Sequence, residues 1–241
     1  SDLLLHNPFH VGSVLLDREW QEKVGFFDES LRSYEDWDMW LRLAKAGCKM
    51  GWVAEPVSLY RFHSEQMTRD GAQMTNATFS VLEKTYEDPG LPDSWRNKKD
   101  LAYSSAYLRA APQAYREGFY EKASAYLNEA VQLAPELKAN QGDQIAKKIS
   151  AWVDFGKTDE PLHYMENIYN HLPDSLSELR LRRNSYLAQK ALDLAFRSYN
   201  QNNLKTARQL ILCGIRYKPG IILNRGVLSI LLRSLLSNNE L

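Results

Sequence analysis

Two adjacent carboxylates, Glu35 and Asp36, stand at the head of the run Tyr34-Glu35-Asp36-Trp37-Asp38-Met39-Trp40-Leu41-Arg42-Leu43-Ala44. Trp37, Trp40, Leu41 and Ala44 fall at i, i+3, i+4 and i+7, one apolar stripe of a 3.6-period helix. Gly47 follows where a C-terminal stop belongs. The spacing predicts a helix that opens at the acids, with its stripe on a core and its carboxylates facing outward. Acids in a first turn offset the helix dipole, at about 0.3–1 kcal/mol each. The same carboxylate at the mouth of a cleft is a general base, able to take a proton from a substrate hydroxyl. The pair alone does not choose between these roles, so its neighbours must.

Upstream lie Gly12-Ser13-Val14-Leu15-Leu16-Asp17-Arg18 and Val24-Gly25-Phe26-Phe27-Asp28-Glu29; downstream come Glu55-Pro56 and Tyr60-Arg61-Phe62-His63. This order resembles the acceptor-side half of family 2 glycosyltransferases of the GT-A fold. There a small-residue strand, a "vGgFDe" turn, an "EDwDlwlRl" helix and a "YR.H" segment follow one another. The match covers about residues 5–70 in four ordered blocks. The resemblance implies an inverting transfer from a nucleotide-sugar donor to a carbohydrate or other hydroxyl acceptor. It makes Asp36 the general base and Glu35 a residue that orients the neighbouring backbone or the acceptor. Asp38 then caps or pairs structurally. Arg61 and His63 face the donor diphosphate and its divalent metal (Mg or Mn), with His63 a metal ligand, because a cation or metal-bound imidazole neutralises a leaving diphosphate. Without the resemblance, Arg61 and His63 read equally well as a surface arginine and a loop histidine.

The elements that must carry these residues read as follows. Asn7-Pro8 breaks any helix, and Val11 to Leu16 reads as a buried strand. His6 and His10 are four apart, but Pro8 between them argues against the helix a metal pair would need. Asp17 to Val24 is a short helix. Gly25 supplies an unusual backbone angle in the next turn, with Phe26 and Phe27 expected to anchor it in the core. Met50 to Val53 and Val57 to Tyr60 read as short strands. Residues 1–70 are therefore expected to be a partial GT-A domain of α/β type. Residues 71–90, with a helix over Thr78 to Tyr86, are expected to connect domains.

The remainder is helical and duplicated. Leu91-Pro92-Asp93-Ser94 recurs as Leu172-Pro173-Asp174-Ser175. Ala123, Leu127, Ala130 and Pro135 recur as Ala207, Ile211, Gly214 and Pro219, and Asn140-Gln141-Gly142 as Asn224-Arg225-Gly226. Small residues at these intervals let antiparallel helices approach, and proline ends the pair. The hairpins resemble tetratricopeptide repeats, with Tyr107 and Ala191 where that pattern has Trp. Units 91–171 and 172–241 follow, and the fold class is mainly α. The repeats imply a second function class: a protein–protein interaction module in which the N-terminal piece is only a structural remnant.

Composition sets the limits. The 241 residues hold 30 Lys plus Arg against 30 Asp plus Glu, a balance that argues against a nucleic-acid-binding surface. Cys48 and Cys213 are far apart and form neither a disulfide framework nor a zinc site. No run approaches the ~20 apolar residues of a transmembrane span, and no signal peptide is evident, so the expected location is cytoplasmic or peripheral at the inner membrane. The only D-x-D triplet, Asp36-Trp37-Asp38, lies inside the acidic helix, and no glycine-rich phosphate loop is present. A nucleotide-binding half is therefore expected upstream. Without it, residues 1–70 are too small for a comfortable core and are expected to lean on the helical part or another chain, with no activity of their own.

Overall fold

Helix boundaries follow the punctuation of the sequence. The computed structural model describes residues 2–61, 70–155 and 158–236. Asp17 caps α1 (Arg18–Val24) by accepting the Glu19 N–H at 2.8 Å, and Gly25 ends it at φ +87°. Helix α2 (Glu35–Lys45) opens at the acid pair, and Gly47 turns the chain out of it at φ +83°. The helices that follow are α3 (Gly71–Glu87), α4 (Asp93–Arg96), α5 (Lys99–Arg116), α6 (Tyr120–Leu133) and α7 (Ala139–Phe155). Then come α8 (Pro161–Asn170), α9 (Ser177–Leu181), α10 (Arg183–Asn200), α11 (Leu204–Tyr217) and α12 (Arg225–Leu236). The molecule is mainly helical, and none of its described helices is long and apolar enough to cross a membrane.

The expected strands do not form among the described residues. Val11–Ser13 is a 3₁₀ turn, and residues 50–60 are irregular. A strand needs a neighbour to pair its N–H and C=O groups, and no described segment offers one. Trp52 and Leu59 accordingly stand 82 % and 99 % exposed. The α/β character expected for residues 1–70 is thus absent from the described part.

Residues 71–90 are also more than a connector. Asp70 caps α3 by accepting the Gln73 N–H at 2.9 Å. The helix then buries Val81, Leu82 and Tyr86 against Leu4, Trp37 and Leu41. This apolar face makes α3 part of the core around α2. The chain forms two compact units: residues 1–117 with 125–135, and residues 118–124 with 136–241. The expected divisions at 70 and 90 both fall inside the first unit.

The duplication is visible in the elements. Helices α5 and α10 are both 18 residues long, and α6 and α11 both 14. Pro135 and Pro219 each open a 3₁₀ turn after the hairpin. Ala123, Leu127 and Ala130 are fully buried, as are Ala207 and Ile211. At Gly214 a Cβ would lie 2.9 Å from Ile221 Cδ1 and 3.4 Å from Ala191 Cβ, so glycine lets the Ile221 side chain lie close against α11.

Candidate functional site

Helix α2 is apolar on both flanks. Trp37 and Leu41 join the cluster with Val81, Leu82 and Tyr86. Met39, Trp40 and Leu43 join another with Phe9, Val14, Trp20 and Val24. Fixing a helix on two sides leaves its first turn as the place where polar groups emerge, and there Glu35 and Asp36 are half-buried. Tyr34, just before them, adopts φ 60° and ψ 22°, a left-handed conformation that costs a non-glycine residue about 1 kcal/mol. Its ring meets Trp37 edge-on at 5.4 Å.

Tyr34 provides no side-chain cap. Asp36 supplies the acceptor instead: its Oδ1 takes the Trp37 N–H at 2.7 Å and the Asn7 amide at 3.0 Å. No described residue donates to Oδ2. Burial pushes the Asp36 pKa above the ordinary carboxylate value. The Trp37 N–H and the Asn7 amide oppose that rise, the Glu35 charge adds to it, and His10 acts against it. A carboxylate with raised proton affinity and one uncommitted oxygen can accept a proton from a hydroxyl.

Asp38 is built for a different task. It is 3 % exposed and bridges Arg42 Nε at 2.9 Å and Lys84 Nζ at 2.8 Å. Arg42 then donates to the carbonyls of Val24 at 2.5 Å, Gly25 at 3.3 Å and Phe26 at 2.8 Å. Lys84 reaches Asp28 at 2.6 Å. The Lys84 ammonium and the Ser30 hydroxyl and N–H hold Asp28 well below the usual carboxylate range. Burial works against the charge of Lys84, but its bonds to Asp28 and Asp38 outweigh it and raise the lysine's pKa. The turn at 24–28 is therefore fastened by cations. Phe26 and Phe27, expected to anchor it, are 73 % and 39 % exposed, because the guanidinium of Arg42 already holds the backbone beneath them.

Arg61 is exposed. His63 lies outside the described residues, as do its neighbours at 62–69. Among the described residues no group of three or more His, Cys, Asp or Glu could hold a metal ion. A cavity of about 330 Å³, lined by Lys138, Gln141, Ser175 and Ser177 among others, lies in the second unit and shares no residue with the acid site.

Several residues at the site carry no readable signal in the sequence. Asn7 reads as a helix breaker beside Pro8, yet it holds Asp36. Lys84 is the single lysine of α3, and no residue near it in sequence marks its partners. Arg109 donates to the Leu5 carbonyl and to Ser105 Oγ (2.9 Å), and its guanidinium sits 5.8 Å from the Trp37 ring centre. All three depend on contacts between segments distant in sequence, which no local pattern encodes. No family model, curated protein or solved structure matches the chain.

Proposed function

We propose that this chain is the acceptor-side part of an inverting family 2 glycosyltransferase, with Asp36 as its general base. The observation that carries the reading is the Asp36 carboxylate: half-buried, raised in proton affinity, and held among the described residues through Oδ1 alone. Oδ2 takes the proton of the acceptor hydroxyl as that oxygen attacks the anomeric carbon of the donor sugar. The bond from that carbon to the nucleotide diphosphate breaks on the opposite face, the diphosphate leaves with the electron pair, and the configuration inverts. Glu35 orients the acceptor or the adjoining backbone. Arg61 and His63, with a divalent Mg or Mn, belong to the diphosphate side in this reading, and a nucleotide-binding half completes the donor site. The enzyme works in the cytoplasm or at the inner face of a membrane.

Asp36→Asn in the enzyme with its nucleotide-binding half tests the reading. Transfer from nucleotide-sugar donors is expected to be lost while donor binding persists, and retained turnover removes Asp36 from the role.

A second reading draws on the helical part. Leu212, Leu228 and Leu232 are 52 %, 42 % and 61 % exposed on the last two helices, and exposed leucines on stacked hairpins suit a protein partner. The two readings are compatible within one enzyme.

A further inference from the structure

Segment 3–9 is strapped across the first turn of α2 by side-chain hydrogen bonds. Trp37 Nε1 donates to the Leu3 carbonyl at 2.8 Å. Ser105 Oγ donates to the Leu5 carbonyl at 3.1 Å, and Arg109 donates to the same oxygen. Asn7 Nδ2 donates to Asp36 Oδ1 at 3.0 Å, while Asn7 Oδ1 accepts the Phe9 N–H at 3.2 Å. The last two bonds fix the amide's orientation. The Phe9 N–H can only donate, so the carbonyl end must face it and the NH₂ end must face Asp36. With the Trp37 N–H on the same oxygen, Asp36 Oδ1 has two donors and little room for a proton.

Arg109 is costly where it stands. Its Nη2 is buried with no hydrogen-bond partner among the described residues, and no described carboxylate pairs with its charge. A buried cation without a counter-charge does not add stability by itself. What it does is grip Leu5, two residues before Asn7.

We propose that Asn7 and Arg109 are positioning residues for Asp36: Asn7 occupies Oδ1 and so directs the incoming proton to Oδ2, and Arg109 anchors the strap that carries Asn7. The inference rests on Asp36 being the proton acceptor, but it concerns the state of the carboxylate and is readable without turnover. Two other charged groups act on that carboxylate, Glu35 beside it and His10 from the strap side, and both are left unchanged in the variants below.

The test is a ¹³C NMR titration of the Asp36 carboxyl in the 241-residue chain, its resonance identified by its loss in Asp36→Asn. Removing a donor from the charged form moves the midpoint to higher pH in Asn7→Ala. It moves further in Asn7→Asp, which keeps the acceptor for Phe9 but sets a second carboxylate against the first. Asn7→Asp, nearly isosteric, carries the test should Asn7→Ala fail to fold. Arg109→Gln shifts the midpoint the same way by less. Ser105→Ala, which removes a donor to Leu5 without touching a charge, replaces it should Arg109→Gln unfold. An unchanged midpoint in a folded Asn7 variant overturns the positioning role of Asn7, and an unchanged midpoint in the Arg109 or Ser105 variant overturns the anchor. Neither result bears on sugar transfer, which stands or falls with turnover of Asp36→Asn.

Discussion

Asp36 and Asp38 sit two residues apart on one helix and meet opposite surroundings. Asp38 is sealed in with two cations, Arg42 and Lys84. Asp36 is held by neutral donors, an amide and a backbone N–H, and no described residue donates to its other oxygen. Cations fix a carboxylate's charge and make it a structural rivet. Neutral donors orient a carboxylate without satisfying its charge, so its proton affinity stays adjustable by burial. The contrast gives Asp38 a structural task and leaves Asp36 open to the proposed proton transfer, and substitutions that separate the two faces test it.

The largest effect is expected at Asp38. Asp38→Ala strips the shared acceptor from Arg42 and Lys84 and opens the fastening of the turn at 24–28. Breaking a buried pair by removing one partner costs about 3–5 kcal/mol. Here the side chains of Arg42 and Lys84 are 26 % and 41 % exposed and regain some hydration, so a loss of about 2–3 kcal/mol is expected. Urea unfolding monitored through the tryptophans measures it. A cost below about 0.5 kcal/mol, the ordinary surface value, would erase the distinction between the two acids.

Arg42→Lys is expected to have an intermediate effect. The guanidinium spans Asp38 and the carbonyls of Val24, Gly25 and Phe26 together, a fork that a single ammonium cannot reproduce. A loss of about 1–2 kcal/mol follows, since net hydrogen bonds are worth about 1 kcal/mol each and the freed carbonyls reach water. The same urea series reads it. A cost equal to that of Asp38→Ala would show that the turn, not the buried charge, sets the stability of this face.

The parts of this arrangement encoded locally were legible in the letters. The helix from Glu35, its stop at Gly47, the Asp17 start and the positive φ at Gly25 all follow from residue types at fixed offsets. The lengths shared by α5 and α10, and by α6 and α11, follow the repeated letters. What depends on a distant partner was not. The apolar runs at 50–53 and 57–60 have strand composition, but strand structure needs a paired neighbour. The repeated Asn-x-Gly shows the limit most plainly. Asn224 is an ordinary cap whose Oδ1 accepts the Gly226 N–H at 2.9 Å. Asn140, Gln141 and Gly142 instead run left-handed, at φ 52°, 59° and 80°. Leu179 packs 3.2 Å from where a Cβ of Gly142 would stand, and Arg182 donates to Asp143 at 2.7 Å. The difference arises from α9 and its following arginine, elements more than 30 positions away. Asn7 and Arg109 escaped notice on the same principle: their roles exist only where segment 3–9 crosses α2.

The smallest effect on stability, and the one most diagnostic of chemistry, is expected for Asp36→Asn. The folded pKa of Asp36 lies above its ordinary value of 3.8. The native state therefore binds this proton more tightly than the unfolded chain does. Its contribution to stability is greatest when both states are protonated, falls as pH rises from about 3.8 through the raised folded value, and is flat beyond. Carboxylates held low, such as Asp28 and Asp88, have the opposite sign and lose stability as pH falls below the usual carboxylate range. They are common to both proteins and cancel in the difference. An asparagine side chain does not titrate, so the variant is expected to match the wild type near pH 3 and to become slightly the more stable by pH 7, while losing the carboxylate to which proton transfer is proposed. Paired unfolding curves across that range measure the difference. A flat profile, or one of opposite sign, would mean that burial does not raise the proton affinity of Asp36, and the proposed proton-accepting role would then have no electrostatic basis.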